Sequence, residues 1–347
     1  MRVFVSLVPP RCLRLEELYL NWYNFANEAL RYEVENPRSF GKAHRIVVVG
    51  MGGSAIAGDM IAIIANSTGS IPVFVWKDFY TPKTLIDDST AVLAISYSGN
   101  TRETILSLEQ ALRRTDMVGV VASNGKLLEI AKEKRLPYIQ VRRGLVPRAA
   151  LPILLYASLA LLEACDVKLV EKSDVNEGIE VLRDVETAKS DSIYIASYLQ
   201  RARLPLIVAT TRYNALATRV KNELNENAKM PAKVEIAPEL FHNDIVGWEA
   251  AVVSDRALII ESDIEYERAL LSFYAEYLQE RGFEVTELKL RGRSLLARYL
   301  YGSLVAGLAS VRIAKMRGVD PMTTHSISKY KNLVTALEDR VRSSIEY

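Results

Sequence analysis

Short apolar runs, most of them rich in β-branched residues, recur along this chain, and helical patterns separate most of them. The runs cover 45–49, 73–76, 91–95, 118–122 and 138–141. After a more polar stretch they resume at 206–209, 234–236, 257–260 and 283–288, the last with apolar residues in alternation. A strand that is apolar at every position is buried on both faces, which fits a parallel sheet covered by helices. A chain of 347 residues is also long for one core. The pattern therefore predicts an α/β protein with two domains, at 1–185 and 186–347, each a parallel sheet between helices. Glu171 to Arg201 reads as a polar helical bridge between them. Leu13 to Tyr32 is apolar at Leu15, Leu18, Leu20, Trp22, Phe25 and Leu30, an amphipathic helix expected to pack across the first domain. Leu295 to Arg317 reads as a long helix, and the tail as a helix near Tyr330 to Val341.

In such folds the reactive groups gather at the carboxyl ends of the strands. Two turns there stand out. Val92–Thr104 reads Val-Leu-Ala-Ile-Ser-Tyr-Ser-Gly-Asn-Thr-Arg-Glu-Thr, a strand, a tight turn and a helix start. A helix N-terminus carries free N–H groups and partial positive charge. With the hydroxyls of Ser96, Ser98 and Thr101 it forms a cradle for phosphate. Capping alone needs one such residue, and five crowd into nine positions here. The other turn, Gly50-Met51-Gly52-Gly53-Ser54-Ala55, also fits the dinucleotide pattern, with Asp78 as the acid for a ribose. That reading leaves the hydroxyl cluster unexplained. A compact phosphate between two adjacent loops explains both.

Lys221–Trp248 is dense in proton-transfer groups. Glu223 and Glu226 lie three apart on one helix face. Glu226 sits where the helix should end, with Asn227 as cap and Pro231 beyond. A carboxylate is disfavoured at a helix C-terminus, so this one invites a functional role. His242 follows in a loop between Pro238 and Gly247, and His325 is its competitor.

Composition narrows the classes. The net charge of +2 gives no reason to expect nucleic acid or an acidic membrane. Cys12 and Cys165 make neither a disulfide framework nor a metal spacing, as expected of a reduced, cytoplasmic protein. His44, His242 and His325 share no ligand spacing, so no metal is expected. Ala149–Ala164 is short for a membrane span, and Met1–Pro10 is short for a signal peptide.

Taken together, Gly-Met-Gly-Gly-Ser at 50–54, Ser-Tyr-Ser-Gly-Asn-Thr at 96–101, Glu-Leu-Asn-Glu-Asn at 223–227 and Glu-Leu-Phe-His-Asn at 239–243 resemble the sugar isomerase (SIS) superfamily. Within it they look most like the bifunctional phosphoglucose/phosphomannose isomerases. The resemblance runs from Gly50 to Lys331. It implies two flavodoxin-like SIS domains and a homodimer with sites at the subunit interface. It implies that Gly52, Gly53 and Ser54 line the sugar and that Ser96, Ser98 and Thr101 hold its phosphate. It gives Arg148 to the enediolate, Glu226 to proton transfer between C1 and C2, and His242, in this family sometimes the partner subunit's, to ring opening. In the terminal Asp-Pro-x-x-Thr pattern and its lysine, Thr324 matches a substrate threonine and Lys331 a ring-opening lysine. Relatives often show an apolar residue where Tyr330 stands.

The implied function is aldose–ketose isomerisation between glucose 6-phosphate, with mannose 6-phosphate, and fructose 6-phosphate, and no cofactor is needed. A SIS sugar-phosphate sensor would usually carry a DNA-binding helical domain, and the residues before Gly50 look too short and too weakly basic for one. An amino-sugar isomerase fused to a glutaminase would want a nucleophilic-cysteine domain for which Cys12 leaves no room. An isomerase of a different sugar phosphate stays open.

Overall fold

The computed structural model describes residues 10–250, 253–337, 340 and 343–344. Nine strands form two parallel sheets. In chain order the elements are α1 (Pro10–Leu20), α2 (Trp22–Ala29), β1 (Arg45–Gly50), α3 (Gly52–Thr68), β2 (Val73–Trp76), β3 (Thr90–Ser96), α4 (Arg102–Ala111), β4 (Val118–Ala122), α5 (Gly125–Glu133), β5 (Tyr138–Gln140), α6 (Leu151–Ala164) and α7 (Lys172–Glu180). They continue with α8 (Val185–Leu199), β6 (Leu206–Thr210), α9 (Asn214–Glu226), β7 (Lys233–Ala237), α10 (Asp244–Gly247), β8 (Arg256–Ile260), α11 (Glu265–Glu280), β9 (Glu284–Leu288), α12 (Leu295–Arg317) and α13 (His325–Ala336).

The first sheet has the order β2-β1-β3-β4-β5, the flavodoxin-like arrangement. Its central strands β1, β3 and β4 are apolar along most of their length because both faces are covered. Val47, Val49, Val92, Ala94, Val118 and Val120 pack with Ile105 and Leu108 of α4 and Leu127 and Leu128 of α5. On the opposite face α3 and α6 pack against the sheet and each other. By length and composition Pro147–Ala164 would cross a membrane, yet most of it is buried here, as a core helix. The second sheet has the order β7-β6-β8-β9, the same topology one strand shorter. Leu206, Val208, Ala257 and Ile259 pack on Leu271, Tyr274 and Leu278 of α11. Residues of α8, α9 and α12 gather on the other side, around Leu258 and Leu288. Both halves are thus three-layer α/β sandwiches.

Three expectations need correction. The helix expected over Leu13–Tyr32 is two helices, broken at Asn21. Its first part does not pack on the first domain, because Leu15 and Tyr19 are fully buried in the unit of the second sheet and the Tyr19 ring lies against Gly307 of α12. The stretch 171–201, expected as a polar helical bridge, is helical as α7 and α8 and holds the crossing between the two compact units at 176/177, while α8 makes the most extensive helix pairing of its unit, with α12. One compact unit takes the chain up to Asn21 with Glu177–Thr323, and the other takes Trp22–Asn176 with the chain from Thr324 onward. The tail helix begins at His325, five residues earlier than expected, and Val341 lies outside the described residues.

Candidate functional site

The unit of the first sheet holds the two conspicuous turns. Because β1 and β3 are neighbours in a parallel sheet, both turns lie side by side at its carboxyl edge. Gly52 opens α3 with φ +54, and Ser54, in the same turn, is buried. The Ser54 hydroxyl accepts from the Tyr97 N–H at 3.0 Å, which ties the first turn to the second.

Within the second turn, Ser96 Oγ and Thr101 Oγ1 are 3.0 Å apart and Gly99 N–H donates to Ser96 Oγ at 3.2 Å. Ser98 Oγ accepts from Asn100 N–H at 3.3 Å. Thr101 is the N-cap of α4, but its side chain makes no capping hydrogen bond. Its hydroxyl faces Ser96 instead, so no side chain from the cap position closes off the first turn of α4. That leaves the hydroxyls and the positive end of a ten-residue helix together, the arrangement that binds anions.

The loop is held from behind. Gly99 has φ +66, and a Cβ there would lie 1.6 Å from the Asn124 carbonyl oxygen. Leu127 N–H donates to Gly99 O and Lys126 N–H to Asn100 Oδ1. The Ser123 hydroxyl donates to Tyr97 O at 2.6 Å. The sequence shows Ser123-Asn124-Gly125 only as a strand end, and nothing in its composition signals this supporting role.

Arg148 belongs to a 3-10 turn, Pro147–Ala150, and is only 5% exposed. A Cβ on Gly53 would come within 3.1 Å of the Arg148 nitrogen, so the glycine admits this turn against the start of α3. Trp22 Nε1 holds the turn by donating to Ala149 O at 2.9 Å. Segments 52–54, 96–101 and 147–150 therefore converge. Thr324 and Lys331 also belong to this unit. Thr324 caps α13 and is half-buried, and Lys331 is exposed with no ion-pair partner for its ammonium among the described residues. Asp78, the acid a dinucleotide site would use, accepts from its neighbour Phe79 N–H.

Glu226 and His242 belong to the other unit. Glu226 is the last residue of α9 and half-buried, with Asn227 as the cap. The Lys229 ammonium bonds the Glu226 carbonyl oxygen and, at 2.7 Å, that of Thr323. Glu223 differs sharply. It is 1% exposed, ion-paired to the equally buried Arg219, and accepts from Tyr19 OH and Asn227 Nδ2, both at 2.6 Å. The expected shared face of two carboxylates is thus one buried structural carboxylate and one half-buried at the helix end.

His242 is exposed in the 3-10 turn Glu239–His242 and has no hydrogen-bond partner among the described residues. Its loop is strapped down nonetheless. Buried Glu235 accepts from Lys233 Nζ, Trp248 Nε1 and Tyr274 OH, Lys233 also reaches Asp244 at 2.8 Å, and Tyr277 OH donates to Ile245 O. Tyr274 is held strongly protonated, by burial first and by the Glu235 hydrogen bond next.

One chain does not bring Glu226 and His242 together. Strands β6 and β7 are parallel, so α9 between them runs back to the amino edge of the sheet, where Glu226 ends it. His242 follows β7 at the carboxyl edge. The five residues of β7 lie between, about 16 Å at ~3.3 Å per residue. His325 is exposed at the start of α13, in the other unit.

Two family models match this chain, one over each sheet. Residues 39–143 match the SIS domain, and residues 188–334 match the bacterial phospho-glucose isomerase C-terminal SIS domain. A bifunctional phosphoglucose/phosphomannose isomerase of Aeropyrum pernix is 36% identical over 328 residues, covering 91% of this chain and 97% of the relative. The chain belongs to the bifunctional phosphoglucose/phosphomannose isomerase family. A second member, from Aquifex aeolicus, is 33% identical and covers 82% of this chain and 89% of its own. Among solved structures, the C-terminal domain of glucosamine-fructose-6-phosphate aminotransferase from Francisella tularensis matches with a TM-score of 0.68 at 16% identity, over 89% of this chain and 97% of that one, a likeness of fold.

Proposed function

We propose that this chain is an aldose–ketose isomerase that interconverts glucose 6-phosphate, and mannose 6-phosphate, with fructose 6-phosphate. The observation that carries the reading is the convergence of Ser54, the Ser96–Thr101 hydroxyls, the start of α4 and buried Arg148 at one sheet edge. Ser96, Ser98 and Thr101 take the phosphate, and Gly52, Gly53, Ser54 and Thr324 line the sugar. Phosphate binding then holds the reacting carbons in place, so remote binding energy serves the chemical step.

The sugar ring opens first. His242 and Lys331 relay one proton from the anomeric hydroxyl to the ring oxygen, breaking the C–O bond and leaving the carbonyl. Glu226 then removes the proton from C2 of the open aldose, and the electron pair forms an enediolate. Arg148 offsets the charge on its oxygens, a role suited to a fixed, planar cation. The proton on the C2 hydroxyl passes to O1, Glu226 returns its proton to C1, and the carbonyl now sits at C2. Glucose and mannose phosphates share this enediolate, because they differ only in the configuration at C2. The sequence of steps calls for no metal or redox cofactor.

The separation of Glu226 from His242 along β7 supports a further element of the reading. The enzyme works in the cytoplasm as a homodimer, and Glu226 of one protomer acts with the partner subunit's His242.

The test is formation of glucose 6-phosphate and mannose 6-phosphate from fructose 6-phosphate by the purified protein in EDTA. Both products are expected. Binding of fructose 6-phosphate without turnover would favour a sensor or another sugar phosphate instead.

A further inference from the structure

Helix α13 carries Thr324 at its cap and Lys331 on its second turn, yet it is lightly held. Only Val334 on it is buried. Among the described residues, one side-chain hydrogen bond joins it to another element: Tyr330 OH donates to Glu103 Oε1 at 2.6 Å. Glu103 is the second residue of α4, whose first turn forms part of the anion cradle, and it is 5% exposed. A carboxylate buried beside an anion site is costly unless a donor satisfies it. Tyr330 supplies that donor although its own ring is 45% exposed. The neighbouring Lys331 is exposed, and among the described residues no ion pair fixes its ammonium.

We propose that Tyr330 is a positioning residue: its hydrogen bond to Glu103 latches α13 to α4, setting the register in which the next residue, Lys331, reaches the sugar ring. The hydroxyl stays a donor throughout the working pH range. Partial burial, the Glu103 hydrogen bond and the nearby charges of Glu103 and Asp78 push its pKa up to about 12. The latch rests on the isomerase reading, because it acts through the ring-opening lysine.

The experiment compares two substrates in wild type and Tyr330→Phe, with products followed by proton NMR. Fructose 6-phosphate must open its ring before it reacts. Its 5-deoxy analogue lacks the hydroxyl that closes the furanose and is already open. Tyr330→Phe is expected to lower kcat on fructose 6-phosphate about tenfold, the scale of one hydrogen bond to a charged group. KM should stay within about twofold, and turnover of the analogue should match wild type, because a latch that serves only ring opening leaves binding and the enediolate step alone. Glu103→Ala should produce the same pattern, and adding it to Tyr330→Phe should cost little more, since both remove one contact. Glu103→Gln, which keeps an acceptor oxygen, should recover part of the rate. Equal losses on both substrates, a change in KM alone, wild-type rates on both, or additive losses in the double variant would overturn the latch. A wild-type protein that turns over neither sugar would overturn the isomerase reading itself, and the latch with it.

Discussion

The carboxyl edges of the two sheets share a topology and differ in charge. After β3 come the hydroxyls of Ser96, Ser98 and Thr101, and the cap side chain of α4 leaves the helix start open. At the corresponding place after β8 come Glu261, Ser262 and Asp263. There Glu267, the third residue of α11, accepts from Ser262 Oγ at 2.5 Å and from Thr210 Oγ1 at 2.8 Å. A carboxylate of the protein itself occupies the position that suits an anion. The remaining acids are matched by Arg212, Arg298 and Tyr213. One fold thus presents an open helix start ringed by hydroxyls at one edge and a helix start filled by a carboxylate at the other. What decides between them is a few side chains at the strand ends, not the architecture.

In the proposed mechanism the first edge holds the phosphate and Glu226 of the second unit moves the carbon-bound proton, and graded substitutions test that division. The largest effect is expected at Glu226. Glu226→Gln should keep the fold by circular dichroism and lower kcat by about 10²-fold or more, the scale of a lost general base. Near-wild-type turnover would remove Glu226 from its role. Ser96→Ala combined with Thr101→Val should raise KM for fructose 6-phosphate about 100-fold, through two lost hydrogen bonds to a charged group. The Glu267→Gln protein should show no such change in KM. Gly99→Ala should cost about 2–3 kcal/mol of stability in denaturant titration, because φ +66 and the Asn124 carbonyl leave a methyl no room.

The smallest effect concerns the second edge. Asp263 lies below the ordinary carboxylate range: burial works against the shift, and Tyr213, Arg212 and Arg298 outweigh it. A depressed folded pKa gives stability that is present above the unfolded value and lost as pH falls through the folded one. Asp263→Asn should therefore be less stable than wild type at pH 7, by under about 1 kcal/mol for so exposed a group. Chemical denaturation should show that gap closing below about pH 4. A gap that persisted at pH 2 would assign the effect to packing.

The strands were legible because burial on both faces demands apolar residues, and 118–122, buried at every position, is matched residue for residue by β4. The anion cradle was legible for a related reason: its hydroxyls exceed what capping requires. Features set by contacts between distant segments were not legible. Leu13–Tyr32 has one continuous apolar stripe, and only Tyr19 seated against Gly307 shows that its first part belongs with α12. Glu223 and Glu226 are the same residue type on one helix. Burial with Arg219 and Asn227 separates them, and no local pattern encodes it. Glu267 reads as an ordinary first-turn acid until Thr210, 57 positions away, is seen to donate to it.

If one site draws Glu226 and His242 from two chains, subunits inactivated at either residue should complement each other. Glu226→Gln and His242→Ala are purified separately, each nearly inactive, then mixed and allowed to exchange subunits. The account predicts recovery of about a quarter of wild-type activity toward fructose 6-phosphate, since half the dimers are mixed and half their sites are intact. No recovery, with mixed dimers confirmed by native mass spectrometry, would contradict it.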